Sequence, residues 1–120
     1  MKIAFLSSEE SVMDLLDDLK KSIEGKIADA EIELFKERKS IDLVKKISSM
    51  GSYDLVAVIV HYKNESPSLK VLLEKISVLE IEGVRLLNMI EHVDPASEPD
   101  EIRDEELKKA ESILVKEITK

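Results

Sequence analysis

The sequence predicts an α/β protein: a three-layer α/β/α sandwich around a four-stranded parallel sheet of order 2-1-3-4. Three observations carry this. Short apolar runs alternate with longer segments of helical period, and such alternation with short connections implies a parallel sheet covered on both faces. The run Leu55–Val60 (LVAVIV) is unbroken and mostly β-branched, as a strand buried on both faces must be. Glu31–Phe35 instead alternates charged with apolar residues, so it keeps one wet face and belongs at an edge. Right-handed crossovers then leave the order 2-1-3-4, with strands one and three central.

The elements follow in chain order. Lys2–Leu6 is a compact apolar strand ended by Ser7-Ser8. Val12, Leu15, Leu16, Leu19 and Ile23 fall on one helical stripe. The Ser7-x-x-Glu10 spacing resembles a capping box, and Gly25 sits where a helix C-terminus wants a left-handed residue. After the edge strand, a second helix starts at Ser40, with Ile41, Val44 and Ile47 inward, and ends at Gly51. His61–Ser66 reads as a polar loop, and Ser66-Pro67 as an N-cap followed by proline at the first helical position. Helix three turns Leu69, Leu72, Leu73, Ile76 and Leu79 inward and stops at Gly83; Val84–Ile90 supplies strand four. The last helix, with Ser97-x-x-Asp100 near its start, uses Leu107, Ala110, Ile113, Leu114 and Ile118. All 120 residues form one domain, 1–120, without repeat or linker.

Composition narrows the chemistry. Eighteen Lys+Arg against 26 Asp+Glu give a net charge of −8, which opposes general binding to nucleic acid or an anionic membrane. The absence of cysteine removes disulfides, thiolate catalysis and Cys-based metal sites together. No apolar run is long enough to span a bilayer and the N-terminus lacks a signal-peptide layout, so a soluble cytoplasmic protein is expected. Abundant Lys and Glu, with no Gln and only Asn64 and Asn88, give a thermophile-like composition.

In open parallel sheets, ligands bind beyond the carboxyl ends of the strands, at the point where the strand order reverses. Here the loops at that point are Ser7-Ser8-Glu9, His61–Ser66 and, adjoining them, His92-Val93-Asp94-Pro95. None carries glycine, so no phosphate cradle of the G-x-G-x-x-G or P-loop kind is present, and no nucleotide or other cofactor is expected. Ser7-Ser8 and His61 stand where a phospho-receiver would need acids. What remains is a small-molecule site in which His61 acts as acid or base, with Ser7, Ser8, Lys63, Asn64, Ser66 and His92 as ligand-binding residues. Polar residues gather wherever strands turn into loops, which is the plainer explanation. A His61/His92/Asp94 metal triad has no supporting spacing, and no metal site is assigned.

Two segments resemble a known family. Leu87-Asn88-Met89-Ile90-Glu91-His92, followed by an acidic loop and a charged helix, is similar to the C-terminal strand and helix of archaeal riboflavin synthase. Tyr53-Asp54-Leu55-Val56-Ala57-Val58 resembles the third strand of the wider lumazine synthase superfamily. The resemblance implies the same 2-1-3-4 sheet and a tendency to assemble. In that family the third strand leads into a loop with glycine and a basic residue; here the place reads His61-Tyr62-Lys63-Asn64, where Lys63 alone keeps the basic role.

Two functions therefore compete: a non-catalytic interaction or regulatory module that self-associates, and a lumazine-type small-molecule enzyme or binder. The glycine-free loops favour the first. Self-association is expected through helix three, where Val71 and Val78, seven residues apart, form an outer apolar line extended by Ile81, with a homodimer as the default.

Overall fold

The computed structural model describes residues 1–120. Its elements are β1 (Lys2–Ser8), α1 (Leu16–Lys26), β2 (Glu31–Glu37), α2 (Ser40–Ser48), β3 (Leu55–Tyr62), α3 (Pro67–Ile76), β4 (Arg85–His92) and α4 (Pro99–Ile118). The strands form one parallel sheet in the order β2-β1-β3-β4, as the alternation requires. Strand parity divides the core in two. Ile3, Phe5, Leu55, Ala57, Ile59 and Met89 pack under α1 and α4. Ala4, Leu6, Val56, Val58 and Val60 pack under α2 and α3. A right-handed chain that steps first toward β2 and then back toward β3 and β4 must place its helices on opposite faces in this way.

The element ends depart from expectation, each for a physical reason. β1 runs two residues further, so Ser7 and Ser8 are buried strand residues and form no capping box. The next residues are tied to the sheet edge: Glu9 N–H donates to Glu37 O (2.9 Å) and Val12 N–H to His61 O (2.7 Å). The helix therefore opens only at Leu16, whose N–H donates to Asp14 Oδ1. Gly25 lies inside α1, and the one positive φ belongs to Gly83, +78°, in the tight turn that joins Ile81 to Val84 ahead of β4.

In α2 the buried stripe is Ser40, Leu43 and Ile47, and Ile41 is exposed. The α3 start is as read: Ser66 Oγ accepts from Leu69 N–H, with Pro67 in the first turn. The helix ends at Ile76, however, so exposed Val78 lies beyond it and shares no helical line with Val71. The α4 cap is Glu98, not Ser97, and its buried stripe is Glu106, Ala110, Leu114 and Ile118. Ile113 falls one step of about 100° aside and is exposed, and Leu107 is half-buried.

No helix is long and apolar enough to cross a membrane.

Candidate functional site

β3 and β4 each run past the point where the sequence ends them, and this reorganises the expected site. His61 pairs with Glu91 and Tyr62 with His92. Successive strand residues face opposite ways, so His61 joins the α1/α4 face of Ala57 and Ile59, and His92 lies with Tyr62 on the α2/α3 face. The two histidines share an edge but not a side. Among the other candidates, Ser8, Lys63, Asn64, Ser66 and His92 gather on the α2/α3 side. Ser7, by the parity of Ile3 and Phe5, faces the other.

On the α2/α3 side the helix starts are already occupied. Helix N-termini present free N–H groups and a positive dipole end, which suits an anion. Here the anion is the protein's own Glu10. One of its oxygens, Oε1, accepts Ser40 N–H (2.6 Å) at the start of α2, and Oε2 accepts the hydroxyl of Ser66, the N-cap of α3. Ser40 Oγ also bonds Ser8 Oγ (2.8 Å), and Ser68 Oγ accepts Ile41 N–H (2.8 Å). Burial pushes the Glu10 carboxyl up, but the hydrogen bonds from Ser66, Ser40 and Ser68 outweigh it and hold it below the ordinary carboxylate value.

Beside this clasp, Tyr62, Lys63, Asn64, Glu65, Lys70 and His92 line a wide-open depression of about 470 Å³. His92 sits edge-on to Tyr62 at 5.3 Å, and its Nε2 meets Lys63 O at 3.0 Å. The depression is shallow and its polar groups face solvent.

The α1/α4 side holds a different cluster. His61, 3% exposed, lies beneath α4, where Glu106 is buried at 8%. Its backbone is pinned on both sides: His61 N–H donates to Ser11 Oγ and His61 O accepts from Val12. The ring Nε2 is 3.4 Å from Glu106 Oε2 and 3.9 Å from Glu91 Oε2. Lys109 Nζ stands 3.4 Å from the other Glu106 oxygen. Two buried atoms here, His61 Nδ1 and Glu106 Oε2, have no hydrogen-bond partner. A cavity of about 10 Å³ opens between these residues and Met89, Ala110 and Ile113, enough for about one small occupant.

Charge follows from this packing. Burial lowers the His61 pKa, and the Glu106 carboxylate offsets that only in part, so the site favours the neutral imidazole. Burial, then Glu106 at hydrogen-bonding range and its like charge, push Glu91 up. Lys109 is raised by the hydrogen bond and charge of Glu106.

From the sequence, Glu106 reads only as the end of an acidic tract from Asp94 that suits the positive end of the last helix, with no spacing for a divalent cation, and Glu91 carries no site role. A signal exists for each. Glu106 stands four residues before Ala110 on the inward stripe of α4, an acid where an apolar residue is due. Glu91 stands two after buried Met89, on the same strand face. No protein-family model matches the chain, and no curated protein matches it in sequence.

Proposed function

We propose that this protein is a non-catalytic interaction module that works as a homodimer, two copies joined edge to edge through β4. The carrying observation is the free edge of that strand. Arg85 and Val93 donate their N–H groups inward, to Asp54 O and Tyr62 O on the β3 side. The residues of even number, Leu86, Asn88, Ile90 and His92, therefore direct theirs outward. Ile90 N–H confirms the sense, because it is bonded only by the Asn88 side chain, at 3.0 Å.

The outward row is self-complementary. In an antiparallel pair centred on Asn88, Leu86 lies opposite Ile90, Leu87 opposite Met89, and Arg85 opposite Glu91 of the second copy. Apolar meets apolar, with about six new backbone hydrogen bonds. β4 is also thinly covered: Met89 alone among its residues is buried, as Ile32 alone is in β2 at the other edge. Next to it Leu79, Ile81, Val84 and Leu86 line an open hollow of about 620 Å³, which the pairing would set against the Ile90–His92 end of the second copy.

Two features support the non-catalytic half of the reading. Glu10 fills the anion position between α2 and α3, and the His61 cavity is far below substrate size. A lumazine-type binder remains the second reading, favoured by the buried His61 beside two carboxylates. A thermal-shift response to flavin precursors would support it.

Light scattering at tens of micromolar tests the dimer: the expected particle has twice the 13.6 kDa chain mass. Ile90→Pro removes an outward N–H that β3 does not use, so the fold survives and the dimer dissociates. Asn88→Lys sets like charges opposite each other and also favours monomer. A monomeric wild type, or a dimer indifferent to both substitutions, ends the proposal.

A further inference from the structure

We propose that His61, Glu91 and Glu106 form a binding site for one divalent cation of the zinc class, closed over by α4. The three donors come from three elements, β3, β4 and α4, and their ligand atoms all lie within 4.8 Å of one another. Tetrahedral coordination at about 2.1 Å needs donors about 3.4 Å apart. The His61 Nε2–Glu106 Oε2 pair is already at 3.4 Å, and the His61–Glu91 pair at 3.9 Å needs only a small closure. The Glu91 side chain, 43% exposed, has room to make it.

The orphaned oxygen points the same way. The Glu106 side chain is only 11% exposed, lines the cavity, and leaves Oε2 without a hydrogen-bond partner. Such an atom carries the full cost of lost hydration unless something binds it. A proton held between Glu91 and Glu106 would satisfy the two acids, but His61 Nε2 would then face Glu106 Oε2 only at 3.4 Å, without a well-formed hydrogen bond. A cation engages all three.

The donor set and the space select the ion. One imidazole nitrogen with two carboxylates suits a borderline cation of the zinc kind, whose charge the two carboxylates balance. Calcium wants six to eight oxygens and magnesium keeps several waters, and a cavity of about 10 Å³ has room for neither arrangement. The fourth position would open to solvent on the exposed side of Glu91. Lys109 stands against the Glu106 oxygen that the cation does not need, on a half-exposed side chain free to swing away.

The test uses the full chain after chelator treatment, titrated calorimetrically with zinc chloride and, separately, with magnesium chloride. One zinc per chain should bind saturably, with magnesium at least a hundredfold weaker. Glu106→Gln, nearly the same in shape, should weaken zinc at least tenfold, whereas Glu105→Gln on the exposed neighbour should not. Cobalt(II) in place of zinc should give the intense visible absorption of a four-coordinate site, lost in Glu106→Gln. His61→Ala can fail to fold, so circular dichroism accompanies it and Glu106→Gln decides. Absence of saturable binding overturns the site. Several weak zinc ions per chain, indifferent to Glu106→Gln, overturn it too, because they report only the acidic surface.

Discussion

Glu10 and Glu106 are the same residue at the same edge of the same sheet, one on each face, and they have opposite fates. Glu10 is met by donors from two helix starts, with a backbone N–H on one oxygen and a hydroxyl on the other. Glu106 meets a neutral imidazole, another acid and one lysine, and keeps an oxygen with no partner. The first carboxylate takes the place of a ligand. The second waits for one. What a buried acid does is thus decided by the donors its neighbours bring, and helix N-termini bring them while helix interiors do not.

The largest effect should come from emptying the satisfied side. Glu10→Ala leaves Ser40 N–H and the Ser66 hydroxyl without their acceptor, and it should cost about 2–3 kcal/mol of unfolding free energy in a urea titration. A loss below about half a kcal/mol would mean that water replaces the carboxylate freely and that the contrast is one of geometry alone.

On the other face the sign should reverse. Glu106→Met removes the orphaned oxygen and fills its space with an apolar chain of similar length. In metal-free protein it should stabilise the fold by about 1 kcal/mol in the same titration. Equal destabilisation by the two substitutions would erase the distinction between the faces.

The smallest effect is in the acid limb. The Glu10 carboxyl is depressed in the folded state, so its contribution is complete above its ordinary value of 4.5 and is lost as pH falls through the folded value. Glu10→Gln should therefore be less acid-sensitive than wild type below about pH 4.5, with the two curves parallel near neutrality. Parallel curves throughout would show that the clasp does not titrate with folding.

Much of the fold was legible because it rests on periodicity. LVAVIV and EIELF separate a central from an edge strand by composition alone, and Ser66-Pro67 marks a cap by local stereochemistry. The sites were less so. Glu10 and Ser66 are 56 residues apart, and nothing in either neighbourhood announces the other. The pattern Ser7-x-x-Glu10 fits a local capping box equally well, yet tertiary donors claimed the acid. The faces of His61 and His92 depended on whether two strands continued for one more turn of the pleat, and polar residues there disguised strand as loop. Glu106 was readable in principle. It closes an acidic tract that begins at Asp94, and acids near the positive end of a helix are explained without any site.

Asn88 has one more effect, on the order of events in assembly. Its amide lies over the Ile90 N–H on the free edge of β4, and that hold must break before any strand can dock. A copy arriving in the centred register replaces the lost bond and brings its own Asn88 opposite. A strand that slips by a residue meets inward-pointing backbone groups, and so pays the same cost without that return. In the proposed dimer the side chain would therefore be a kinetic gate that slows every encounter and rewards one, and on an unpaired edge it would guard against fibril growth.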